Sequence, residues 1–358
     1  MTETEKNFLS LVRLGIGKEA TTTSSFDCPD WIAIEALAEK QGLSAIVIDG
    51  LENAPEGIRP PKEVLLQWIG TVMQAYEQRY ELYRRAIAEM AAFYNSHGFK
   101  MMVLKGFACS LDWPRPEHRP CGDIDIWQFV RYKEADALLA SEKGIPVDTS
   151  HHHHTVFYFR GFMVENHYDF INVHHHKSHR EMERIFKELG QDDSYSVTVN
   201  DETVYLPSPN LHALFLLKHL MMHFASGEIT MRQLLDWAFF AEKHSAEIDW
   251  EWLNKTIEHF GMTGAYAIFN AICIEHLGFD AGLFPSIAYD QDMKDRVLSE
   301  ILSPEVPRDM PSNVLKRIRF KISRWKSNAW KHRLCYKESL WSAFWSGIWN
   351  HLLKPSSI

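Results

Sequence analysis

The sequence predicts an α+β protein, with a small mixed sheet set between an N-terminal helical region and a C-terminal helical domain. Two observations carry this. Apolar residues recur at helical spacing from about residue 27 to residue 94 and again from 210 onward, whereas the stretch between them carries short apolar or period-two runs with one helical segment inside. Glycine and proline mark the changes of pattern, at Pro60 and Pro61, Gly98 and Pro207.

The elements follow in order. The opening "MTETEKNFLSLVRLGIGKEA" is acidic at Glu3 and Glu5 and has no basic segment followed by an apolar core, so no secretory leader is expected. "DWIAIEALAEKQGLSAIVIDGL" and "KEVLLQWIGTVMQAYEQRYELYRRAIAEMAAFYNSHG" keep a helical period, the second ending at Gly98. "KMMVLKG" then reads as a short strand, "DIDIWQF" as a second, "RYKEADALLASEKG" as a helix, and "TVFYFRG" with "FMVENHYDF" as two strands joined at Arg160-Gly161. "VTVNDETVYLPS" predicts one last strand before Pro207. From Asn210 the helical period returns in four segments, with helix starts at Asn210 and Asp249. The expected domains are 1–84, helical; 85–207, the α+β core; 208–303, helical; and 304–358, a basic, tryptophan-rich helical tail.

Composition bounds the function. Hydrophobic residues make up 46% and charged residues 24% of 358, a balance that excludes a disordered or collagen-like chain. No run approaches the roughly 18 apolar residues of a spanning helix. The five cysteines are scattered and form no C-x-x-C, which argues against a disulfide framework or a thiolate zinc site and points to a cytoplasmic protein. Net charge is −9, yet residues 308–337 hold ten Lys/Arg against one Asp, so the remainder sums to −18. An acidic body without a basic field argues against a processive nucleic-acid enzyme.

The chemistry concentrates in "CGDIDIW", residues 121–127. Side chains alternate across a strand, so Asp123 and Asp125 share one face, with Cα atoms about 7 Å apart, while Ile124 and Ile126 enter the opposite layer. Two carboxylates that close repel each other unless a cation lies between them. Oxygen-only ligation fits Mg2+, with Mn2+ as its substitute. Glu165, in "FMVENHYDF", is the candidate third acid, with Asp169 behind it, and His167 shares its face.

"MVLKGFACSLDWPRPEHRPCGDIDIW" followed by "VENHYDF" resembles the uncharacterised bacterial nucleotidyltransferase family of the polymerase-β-like superfamily. Leu104, Lys105 and Gly106 match its L-K-G segment; Arg119, Gly122, Asp123 and Asp125 its R-x-x-G-D-I-D-I motif; Glu165 and His167 its later V-E-L-H-W-like strand; Arg232 and Asp236 the arginine and aspartate of its C-terminal region. Asn166 stands where the family has an apolar residue, and Gly106 is followed by Phe107 instead of Gly or Ser. The resemblance implies a nucleotidyltransferase-type core in which Asp123, Asp125 and Glu165 hold divalent ions. It further implies that a nucleoside triphosphate donates its nucleoside monophosphate to a hydroxyl acceptor, which the sequence does not identify. Lys105, Gly106, Arg119, Gly122, His167 and Arg232 are the expected nucleotide-binding residues.

Each signal has a plainer reading. Lys105 and Arg119 serve either as phosphate ligands or as balance for the carboxylates, and Gly106 either admits a phosphate or makes a turn. Arg232 and Asp236, four residues apart, either face the cleft or form a helix-surface pair. The runs His151–His154 and His174–His179 read as solvated or substrate-facing, because consecutive histidines in a strand point to alternate faces; a histidine-based metallohydrolase is the minor alternative. His219 and His223 have zinc-helix spacing without the glutamate of H-E-x-x-H and read as core or cleft residues. In the tail, Trp341, Phe344, Trp345, Ile348, Trp349 and Leu352 fall on one helical face, which suits packing on the acidic body, an oligomer contact or a peripheral membrane surface, and less well nucleic acid. The competing class for the whole protein is a catalytically degenerate nucleotide-binding or scaffold module of the same fold.

Overall fold

The computed structural model describes residues 1–20, 26, 29–174, 176–227, 229–304 and 323–338. Three helices open the chain: α1 (Glu3–Gly15), α2 (Trp31–Gln41) and α3 (Ser44–Glu52). Thr2 and Glu5 form a reciprocal capping box on α1, Asp30 caps α2 through its side chain, and Gly42 ends α2 in a left-handed conformation. Next come α4 (Lys62–Val72) and α5 (Arg79–Ser96), joined without a break by a π-helical turn at Met73–Gln78. One face of α5, with Tyr83, Ile87, Met90 and Tyr94, is buried.

The core elements are β1 (Met102–Val103), α6 (Phe107–Ser110), β2 (Ile124–Trp127), α7 (Tyr132–Lys143), β3 (His154–Phe159), β4 (Phe162–His167), α8 (His179–Leu189), β5 (Ser196–Val199) and β6 (Glu202–Tyr205). The strands form one mixed sheet in the order β3-β4-β2-β1-β6-β5, in which β2 lies parallel to β4 and antiparallel to β1. Its faces are divided by the period-two alternation. Val103, Ile124, Ile126, Phe157 and Val164 share a core with α5 and α7, whereas Met102, Leu104 and Trp127 join the larger core built with the helical regions.

Two departures from the sequence reading have local causes. Residues 196–205 form a hairpin, not a single strand, because Asn200 and Asp201 both take positive φ (48° and 68°), the backbone of a tight hairpin turn that Asn and Asp tolerate. The hairpin expected at Arg160-Gly161 is present, with φ of 50° and 83°. In addition, α8 occupies a stretch the strand pattern does not anticipate; its buried Met182, Glu183 and Phe186 follow a helical period.

The C-terminal helices are α9 (Pro209–Ser226), α10 (Met231–His244), α11 (Trp250–His259), α12 (Thr263–Glu275) and α13 (Gln291–Leu302). Pro209 starts α9, where a missing N–H costs nothing, and Gly227 closes it. The helix Ala329–Cys335 packs on α9 and α12, with Lys331 paired to Glu300 at 2.5 Å inside the protein. The amphipathic face from Trp341 to Leu352, and Cys28, lie outside the described residues; the other four cysteines are buried free thiols. No helix among the described residues is long and apolar enough to cross a membrane.

Candidate active site

The parallel pairing of β2 with β4 puts Asp125 directly beside Glu165, and Trp127 beside His167. Alternation along β4 then sends Glu165 and His167 to one face and Asn166 to the other, where it donates to Asp136 of α7 at 2.8 Å. That bond, with Thr155 donating to the second Asp136 oxygen at 2.8 Å, explains how a polar residue is accommodated at an otherwise apolar position. Asp123 sits one residue before β2.

These side chains open into a cleft of about 450 Å³ between the sheet and helices α9 and α10. All nine residues singled out from the sequence line it: Lys105, Gly106, Arg119, Gly122, Asp123, Asp125, Glu165, His167 and Arg232. Phe170, Phe215, Leu216, Leu220 and Met222 supply an apolar wall, with His153, His154, His219 and His223 at the border. The sequence motifs give no hint of that wall, since α9 is apolar around most of its circumference and its cleft-facing side has no distinct signature.

Asp125 is fully enclosed and doubly held. Its Oδ1 accepts from the Lys105 ammonium at 2.6 Å and faces His167 Nε2 at 3.0 Å. Burial alone would raise the Asp125 pKa; the Lys105 charge and the His167 hydrogen bond outweigh it and hold the carboxyl well below its usual range. Burial likewise opposes the charged form of His167, but the bonds to Asp125 and Glu165 prevail and push it up to about 9. Asp123 behaves differently. Burial and the neighbouring Asp125 charge raise its pKa, and no ion pair engages its carboxylate among the described residues. Asp169 is turned elsewhere, with its carboxylate paired to Lys187.

The cations divide into two kinds. Arg119 grips Asp236 through Nε at 2.7 Å and Nη2 at 2.9 Å, and Trp113 Nε1 donates to the same carboxylate at 2.9 Å, all inside the protein. The sequence pairing of Arg232 with Asp236 on one helix surface is therefore corrected: Asp236 is buried and taken by Arg119 from the core. Arg232 instead has no carboxylate within ion-pair distance among the described residues and donates only weakly to the Pro120 carbonyl, at 3.4 Å. Lys105 also contacts His219 Nε2 at 3.3 Å, and burial followed by the Lys105 charge keeps that imidazole neutral.

Gly106 is required for a reason the motif does not show. Its φ is +57°, and a Cβ there would overlap the hydroxyl of Tyr83, which donates to the Asp123 carbonyl at 2.8 Å. The histidine tract also departs from strict alternation, because β3 begins only at His154; His153 lies in a bend, and its ring comes within 4.3 Å of the His154 ring. Ligand atoms of Asp125, Glu165 and His167 lie within 4.8 Å of one another, as do those of His153, His154 and His167. Either triad is of a kind that can hold a metal ion; Asp123 belongs to neither.

Residues 27–278, which are 252 of the 358, match the family model described as uncharacterised nucleotidyltransferase. No curated protein and no solved structure matches the chain. With this sheet, these motifs and that match over most of its length, the chain belongs to the uncharacterised nucleotidyltransferase family.

Proposed function

We propose that the cleft transfers a nucleoside monophosphate from a nucleoside triphosphate to a hydroxyl acceptor with the support of divalent ions. The observation that carries this reading is the convergence of Asp123, Asp125 and Glu165 on one cleft that also holds Lys105 and Arg232. Mg2+ or Mn2+ at the three acids supplies charge neutralisation at the α-phosphate and a lowered pKa for the acceptor hydroxyl. Lys105 and Arg232 are the cations that bind the triphosphate, Arg232 through a guanidinium that pairs with no carboxylate among the described residues. Arg119 acts through Asp236, as a strut between the core and α10. The acceptor hydroxyl passes its proton to a carboxylate of the cleft, its oxygen forms the new bond to the α-phosphorus as the bond to the bridging oxygen breaks, and pyrophosphate leaves. The apolar wall of α9 keeps bulk water from competing with the acceptor.

The division into a helical region (1–84), a core (85–207), a helical domain (208–303) and a tail (304–358) assigns the triphosphate to the core and the acceptor to the side lined by α9 and α10. A second reading, a nucleotide-binding module without turnover, draws on the Lys105–Asp125 ion pair, which places a protein cation beside the acid most central to the site. A screen of nucleoside triphosphates with Mg2+ or Mn2+, reading pyrophosphate release with candidate acceptors, separates the two. The transferase reading predicts ion-dependent release that Asp123→Asn/Asp125→Asn abolishes; equal release from both proteins, or none with any nucleotide, overturns it.

A further inference from the structure

We propose that a side pocket of the cleft, reached past His219 of α9, is the acceptor subsite, in which Lys218 receives the carboxylate of a small hydroxy acid whose hydroxyl points into the cleft. This rests on the transferase reading of the cleft and adds the class of acceptor.

The pocket has a volume of about 110 Å³ and shares His153, Phe170, Phe215, His219 and Met222 with the cleft, so the two cavities have a common wall. His219 sets how close they lie. Its Nε2 is 3.3 Å from the Lys105 ammonium, which pairs with Asp125, and the residue before it on α9 is Lys218, which lines the pocket. Phe215, Lys218, His219 and Met222 follow the i, i+3, i+4, i+7 spacing, so a single face of α9 serves both cavities.

Among the described residues no carboxylate pairs with Lys218, which is 2% exposed. Its ammonium meets His179 Nε2 at 2.9 Å and the ring face of Tyr336 at 4.4 Å from the centroid. His179 Nδ1 lies 2.7 Å from the Asn172 carbonyl, so Nδ1–H donates there and Nε2 is left to accept. The acids near the pocket are engaged: Glu338 by the Ser178 N–H at 2.9 Å, and Glu183 by the N–H groups of Phe170 and Ile171 at 3.0 Å each. An ammonium held by one imidazole and one ring face has donors left for an anion. One cation among Phe170, Ile171, Phe215, Met222 and Tyr336 suits a carboxylate on a short apolar stem, whereas a phosphate dianion calls for several donors. The space equals that of about four water molecules, which sets the length of the stem. Burial pushes the Lys218 pKa down to about 7, with Cys335 and Glu338 acting the other way, and His332 faces the same ammonium. An arriving carboxylate restores the charged form, so at pH 8 binding takes up a proton.

The test uses the full-length protein without nucleotide or divalent ion. Calorimetry at pH 8, in two buffers of different ionisation enthalpy, reads the binding of butyrate, butyramide and inorganic phosphate. The inference predicts a butyrate Kd of about 1 mM with uptake of a proton. It also predicts binding at least about tenfold weaker for butyramide, for phosphate, and for butyrate with Lys218→Met. Butyrate still binds when Mg2+ and a saturating α,β-methylene nucleoside triphosphate are present. Butyrate binding that matches butyramide, persists in Lys218→Met, draws no proton, or gives way to phosphate or to the nucleotide overturns the inference, as does no binding. The comparison of butyrate with butyramide in the wild type decides even where the variant fails to fold. Lys218-dependent butyrate binding without pyrophosphate release from any nucleotide keeps the carboxylate site and removes the transferase reading; pyrophosphate release by a protein that does not bind butyrate does the reverse.

Discussion

Replacing Asp236 by alanine removes the acceptor of three buried hydrogen bonds, two from Arg119 and one from Trp113. Arg119 is 5% exposed and Asp236 5% exposed, so the guanidinium left behind cannot be solvated without rearranging the join between the core and α10. Its charge persists, because burial, which lowers its pKa, is outweighed by Asp236 in the intact protein and the group is a strong base in any case. Stranding one partner of a buried pair costs about 3–5 kcal/mol, and an unpaired indole N–H adds about 1 kcal/mol. With a urea m-value of about 3 kcal/mol/M for a chain of this size, the midpoint of the transition falls by about 1–2 M. Arg119→Met/Asp236→Leu, which replaces both charges with apolar groups, recovers most of the loss. A cost below about 1 kcal/mol for Asp236→Ala would refute the strut assignment and return Arg119 to the set of phosphate ligands.

Gly106→Ala is expected to destabilise the protein by about 1–3 kcal/mol, since the backbone is left-handed there and the new Cβ meets Tyr83; thermal unfolding reads it, and an unchanged midpoint contradicts the account. Arg232→Met is expected to leave unfolding nearly unchanged yet weaken triphosphate binding about tenfold or more, as measured by calorimetry. Lys218 is buried against His179 Nε2 at 2.9 Å and the face of Tyr336, and burial lowers its pKa to about 7. An unfolded lysine titrates near pH 10.4, so between about pH 7 and pH 10 the unfolded state binds more protons and stability rises with pH, by up to about 1.4 kcal/mol per unit. Below about pH 7 both states are protonated and this contribution is flat. The stability difference between Lys218→Met and the wild type therefore shrinks as pH rises from about 7 to 10; a difference constant with pH contradicts it.

What was legible in the sequence had a local signature. The alternation in "DIDIW" placed Asp125 on the face opposite Ile124 and Ile126, and Arg160-Gly161 marked a real hairpin. The Asn200-Asp201 turn carried a weaker signal, because neither residue is glycine, and the run read as one strand. Contacts between distant parts of the chain had no signature at all. Nothing near Arg119 announces a partner 117 positions away, and nothing near Gly106 announces Tyr83. The π-helical turn at Met73–Gln78 was hidden for the opposite reason, since one extra residue in a long helix barely disturbs the apolar period. For the histidines, the decisive fact was where β3 begins, a boundary that propensity does not fix to one residue.

The central claim, that three acids and two cations make a metal-supported triphosphate site, is tested most directly by calorimetric titration of the four α,β-methylene nucleoside triphosphates with and without Mg2+ or Mn2+. The account predicts one site for at least one analogue, present only with the divalent ion and lost in Asp123→Asn/Asp125→Asn. Binding that survives both removal of the ion and the double substitution, or no binding by any analogue, contradicts it.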